Sequence, residues 1–199
     1  MNRFLTIILL LFLLVSCSSV GTPPIRYYVI NPVEQQPLAP DMATSSLNIR
    51  IVDVSIPQYL EHFQIARRSG EQELTFSDDH QWGENLRKNL IRTMARNLSR
   101  QLDSPTVFTP LVRSSSKPKY TINISIDQFE QDSQGVIQLS ARYQISEARD
   151  KGVLTTRVFE QRMTSDHRTG FPQMVSTMQS LYNLLCLDIS KTLIGLEGL

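Results

Sequence analysis

The chain has 199 residues, with 20 Lys plus Arg against 19 Asp plus Glu. That near-neutral balance gives no global field to draw in nucleic acid, so nucleic-acid binding is excluded as a function class. The length suits one domain with a single real core.

Residues 1–16 read as a signal peptide. Met1, Asn2 and Arg3 make a weakly positive start, and Phe4 to Val15 is apolar apart from Thr6. A short charged start, an apolar stretch and a small residue before the cut define a secretory signal. The stretch is shorter than the ~20 apolar residues that a spanning helix needs. Leu14-Val15-Ser16-Cys17 matches the lipobox of bacterial lipoproteins, in which the cysteine is acylated and becomes the new N-terminus. The alternative is an ordinary secretory signal with an incidental cysteine. Cleavage removes one charge, Arg3, and leaves 19 cations against 19 acids. Ser18, rather than Asp, follows the cysteine and favours the outer membrane, facing the periplasm. Residues 17–25 are the lipidated cysteine and a short tether. Its seven residues from Ser18 to Pro24 reach ~25 Å at most, so the domain at 26–199 stays near its membrane.

Residues 26–31 form a strand of aromatic and β-branched residues, ended by Pro32. Residues 33–46 contain Pro37 and Pro40, lack periodicity and form a surface loop. In the next strand Leu47, Ile49, Ile51 and Asp53 point one way, while Asn48, Arg50, Val52 and Val54 point the other. Pro57 stops it. Residues 63–67 and 73–76 make a hairpin around Ser69-Gly70-Glu71.

A helix capped by Asp78 or Asp79 then runs to Leu102. Its apolar stripe is Trp82, Leu86, Leu90, Met94, Leu98 and Leu102, which drifts ~40° per step around a 3.6-residue helix. Such a stripe suits packing on a twisted sheet. Residues 120–129, 135–147 and 153–163 alternate and form an antiparallel meander, joined by turns that end in Gly135 and Gly152. A last helix starts near Phe171, with Pro172 in its first turn and a stripe of Met174, Met178, Leu181, Leu185 and Ile189. The fold class is α+β: a single domain with a mainly antiparallel sheet and two amphipathic helices packed on one face.

Chemistry is sparse. His62, His80 and His167 fall at predicted loops or element ends, none at metal-ligand spacing, and read as surface histidines. There is no glycine-rich phosphate cradle and no Gly-x-Ser-x-Gly elbow. Asp127 and Glu130 read as a solvated pair at a strand end. Cys186, inside Leu184-Leu185-Cys186-Leu187, reads as a small hydrophobe without a disulfide partner. No catalytic residue, cofactor or metal is expected. One surface feature stands out: Lys88, Arg92, Arg96 and Arg100 recur every four residues, away from the core stripe. They read either as a solvated face or as a docking surface for an acidic partner or lipid headgroups.

The stretch from Tyr27 to Leu102 resembles the ABC-transport auxiliary lipoproteins of the paraquat-inducible protein C type. The matching residues are Tyr27-Tyr28-Val29-Ile30, Val54-Ser55-Ile56-Pro57-Gln58-Tyr59-Leu60, Gln64-Ile65-Ala66-Arg67-Arg68 and His80-Gln81-Trp82-Gly83-Glu84-Asn85-Leu86. The ordered set is specific, although each piece alone is weak. The resemblance implies a non-catalytic role beside complexes that carry lipid between the inner and outer membranes. There a tunnel protein of the mammalian-cell-entry (MCE) type would dock at this lipoprotein, which could form a matching homo-oligomeric ring. Tyr59 and Leu60, at a rigid strand exit, are either core caps or partner contacts, and Trp82 is core or interface. A second class is a structural lipoprotein of a secretin or lipopolysaccharide-transport assembly. A periplasmic hydrolase is a third, disfavoured by the missing catalytic constellation.

Overall fold

The computed structural model describes residues 23–34, 37–38, 47–104, 106–111, 117–165 and 170–198. The expected signal peptide, Cys17, most of the tether and His167 lie outside them. Within the described residues eight strands and two helices follow in chain order. The strands are β1 (Arg26–Tyr28), β2 (Ile49–Ser55), β3 (Gln64–Arg68), β4 (Leu74–Trp82), β5 (Val107–Phe108), β6 (Tyr120–Gln131), β7 (Val136–Glu147) and β8 (Val153–Thr164). The helices are α1 (Leu86–Gln101), after β4, and α2 (Gly170–Leu196), after β8. A short 3-10 turn, Gln58–Glu61, separates β2 from β3.

All eight strands join one sheet, and the class is α+β as expected. The sheet is mixed. Its longest pairings, β6 with β7 and β7 with β8, are antiparallel, as is β3 with β4. The pairings of β1 with β4, and of β2 with β5 and β6, are parallel. Strand β6 is the hub. One edge carries β7, while the other carries β2 along Tyr120 to Ser125 and then β3 at Gln131. The 3-10 turn after Pro57 makes the step from one partner to the next.

Two bulges reset the expected alternation. In β2 the register shifts between Ile51 and Asp53, because one extra residue flips every side chain beyond it. Val54 therefore enters the core, and Asp53 turns to the surface to pair with Arg87. In β6 the shift lies between Ile126 and Gln128. The buried phase changes there from Ile122, Ile124 and Ile126 to Phe129.

The region before α1 differs from expectation. Asp78 and Asp79 do not cap a helix; both lie within β4. The cap is Asn85, whose side-chain oxygen accepts from the Lys88 amide at 3.1 Å. Trp82 ends the strand rather than opening the helix, yet it is buried with the rest of its predicted stripe. The reason is local: a three-residue turn from Gly83 separates strand from helix, so Trp82 and Leu86 reach one core from different elements. Helix α1 packs against β2 and β5, α2 packs against β6, β7 and β8, and the helices touch each other. The stripe Met174, Met178, Leu181, Leu185 and Ile189 is wholly buried. Among the described residues no helix is long and apolar enough to cross a membrane.

Candidate functional site

Helix α1 carries three stripes, each stepping by four residues. Leu86, Leu90, Met94 and Leu98 are buried in the core. Lys88, Arg92, Arg96 and Arg100 are exposed on another side, so the predicted basic stripe exists as a surface row. Arg92 pairs with Glu84, and Arg100 donates to the Val33 carbonyl at 2.9 Å. Lys88 and Arg96 have no ion-pair partner among the described residues. Two free cations eight residues apart stand ~12 Å apart along the helix.

The third stripe, Asn89, Thr93, Asn97 and Gln101, is polar and buried. Its spacing was readable in the sequence, but its use was not. Asn89 accepts from the Ile30 amide at 2.9 Å and donates to the Ile30 carbonyl at 3.1 Å. Thr93 also donates to that carbonyl, at 2.8 Å, and Asn97 accepts from the Val33 amide at 3.0 Å. Gln101 donates to Asn183 and accepts from Ser190 of α2. A buried backbone N–H or C=O needs a partner. Asn89, Thr93 and Asn97 supply them to the N-terminal segment, which among the described residues has no strand neighbour beyond Tyr28.

The 3-10 turn places Tyr59 and Leu60 differently. Leu60 is buried in the core. Tyr59 is half-buried and donates to Glu130 Oε2 at 2.7 Å. Glu130 is the clearest correction to the sequence reading: its side chain is fully buried, not solvated. It accepts from Arg68 Nε at 2.8 Å, Gln128 Nε2 at 2.9 Å and the Phe129 amide at 3.0 Å. A buried carboxylate persists when its lone pairs are filled in this way. Burial, and then the bond to Glu130, hold the Tyr59 hydroxyl's pKa well above the ordinary tyrosine value. The turn abuts α1, but its tyrosine is committed to Glu130 rather than to the basic row.

The histidines are not free surface rings in every case. His80 stacks on Phe171 at 3.9 Å and beside Tyr28, with Nδ1 2.7 Å from Asp79. The Arg67 guanidinium covers the other part of this cluster, 3.9 Å from the Phe171 ring centre. His62 leans on Phe76. Cys186 is fully buried beside Asn97, and burial pushes its thiol up to about 12. An open concavity of about 760 Å³ lies at the far end of β6, lined by Arg50, Lys117, Lys119, Glu147 and Arg149. Lys119 there is already paired with Glu197 at 2.6 Å. No group of three or more His, Cys, Asp or Glu side chains placed for a metal occurs among the described residues.

The chain belongs to the family of ABC-type transport auxiliary lipoprotein components, whose model matches residues 28–190. That is a family of transport auxiliaries rather than of enzymes. Among curated proteins none matches the sequence. Solved structures share the fold, and two of them illustrate it. One, an uncharacterized protein, has a TM-score of 0.68 at 17% identity and covers 86% of this chain and 99% of its own. The other is protein XCC0632 from Xanthomonas campestris, of family DUF330. Its TM-score is 0.66 at 14% identity, with coverage of 81% of this chain and 92% of its own.

Proposed function

We propose that this protein is an outer-membrane-anchored, periplasm-facing docking component of an MCE-type intermembrane lipid-transport system, without catalytic activity of its own. Acylated Cys17 is the anchor, and the family assignment supports an auxiliary lipoprotein role. The observation that carries the docking is the exposed row on α1, where Lys88 and Arg96 project with no ion-pair partner among the described residues. Exposed charges of one sign steer an oppositely charged surface and set its on-rate more than its final affinity. An acidic face of the tunnel protein is the complementary partner. Tyr59 contributes by holding the neighbouring turn rigid, with only part of its ring available. Copies of the chain form a ring that matches the tunnel.

The test is in-cell photocrosslinking from a probe at Arg92, on the same exposed row, with identification of the captured protein. Recovery of an MCE-type protein is expected, and Lys88→Glu with Arg96→Glu abolishes it. Recovery of a secretin or lipopolysaccharide-transport component instead would shift the protein to an assembly role. Sedimentation of the purified protein tests the ring, and a monomer with and without partner would refute it.

A further inference from the structure

The first strand carries an apolar row that the fold does not use. Ile25, Tyr27 and Val29 are 46%, 64% and 39% exposed. Tyr28 between them turns the other way, onto His80 and Phe171. Tyr27 and Val29 share one side: a Cβ placed on Gly83 would lie 3.4 Å from Val29 Cγ1 and 3.8 Å from Tyr27 Cβ. Ile25 falls on that side by the two-residue period of an extended chain. Among the described residues strand β1 pairs only with β4, so the row stands at a margin of the sheet.

The opposite margin, β8, also exposes apolar residues, including Val153 and Val158. The two margins differ in their distance from the anchor. Ile25 follows Cys17 by eight residues, a reach of ~29 Å when fully extended. Strand β8 is separated from β1 by β4, β3, β6 and β7, a further ~24 Å of sheet at the usual strand spacing.

We propose that Ile25, Tyr27 and Val29 form a membrane-contact edge, seated at the boundary of headgroups and acyl chains in the bilayer that holds the anchor. The proposal rests on the reading of Cys17 as the acylated residue. An anchored chain holds this row beside the bilayer at high effective concentration, so a small apolar contact suffices to seat it. Tyrosine suits that depth, because its ring body is apolar and its hydroxyl remains wet. Seating β1 turns the β8 margin away from the membrane.

The test uses the mature acylated chain, from Cys17 onward, in vesicles of phosphatidylethanolamine and phosphatidylglycerol, with a fraction of the acyl chains brominated near the headgroup. The one native tryptophan, Trp82, is buried and sets the background. Tyr27→Trp places a reporter on the row, and Val158→Trp places one on the opposite margin. The expected result is bromine quenching and a blue-shifted emission for Tyr27→Trp, with neither for Val158→Trp. Vesicle-bound protein with no quenching of either reporter would overturn the proposal, as would equal quenching of both. Protein that fails to sediment with vesicles removes the anchor itself, and this inference falls with it. Bound but unquenched protein leaves the docking role intact.

Discussion

Replacing Glu130 with alanine should cost the fold about 3 kcal/mol. Breaking a buried ion pair by removing one partner typically costs ~3–5 kcal/mol, because the other charge is stranded. Here the stranded group is Arg68, whose side chain is 27% exposed and also donates to the Glu71 carbonyl. It can be rehydrated, which places the loss at the lower end. Tyr59 and Gln128 lose an acceptor, and the Phe129 amide loses its oxygen. Tyr59→Phe removes only one bond to a charged acceptor, worth ~1.5–3 kcal/mol. Urea unfolding of both single variants and the double variant measures these terms. For a chain of this size the Glu130→Ala loss equals a fall in Tm of roughly 6–12 °C. The double variant should lose less than the sum of the two, because both act on the same oxygen. A Glu130→Ala chain within about 1 kcal/mol of the parent, or strict additivity, would refute the network as a stabilising unit.

Three further outcomes follow from other sites. Cys186 should ignore a thiol reagent at pH 8 in the native protein and react in full in denaturant, because the buried thiol is held protonated; rapid native labelling would contradict its place in the core. Asn89→Ala strands the Ile30 amide, while Thr93 still donates to the Ile30 carbonyl, so it should cost about 1–3 kcal/mol, and hydrogen exchange should rise first at residues 26–33. The Tyr143 hydroxyl, raised to about 12 by burial and then by its bond to Asp188, should make the fold lose stability in alkali. Its folded pKa lies above the ordinary tyrosine value of about 10. The unfolded chain therefore deprotonates first, and the contribution is complete below about pH 10 and lost as pH rises through 12. Tyr143→Phe should flatten that part of the stability curve, and an unchanged slope would exclude the assignment.

The sequence pattern carried the elements better than their junctions. The long meander and both helical stripes are legible because alternation and four-residue spacing persist over many residues. The β4–α1 junction is not. Asp78, Asp79 and Trp82 fit a helix start as well as a strand end, and only the Asn85 cap decides between them. The parallel pairings of β1 and β2 are invisible to alternation, since pairing partners are non-local. The bulge in β2 inverted Asp53 and Val54 for the same reason. At the candidate site the exposed cations were legible from spacing. Glu130 was not, because its burial depends on a turn some seventy residues earlier in the chain.

The grip of α1 on the N-terminal segment has a mechanical consequence. Residues 26–28 are paired along β4, Gly83 donates to the Tyr28 carbonyl at 2.7 Å, and Asn89, Thr93 and Asn97 hold Ile30 and Val33 in turn. A pull on the N-terminus therefore enters along the strand. It strains these bonds together in shear rather than peeling them one at a time. Beyond the strand, tension passes into a helix whose neighbouring apolar stripe is locked in the core. Force applied at the N-terminal segment is thus shared among several hydrogen bonds rather than borne by one.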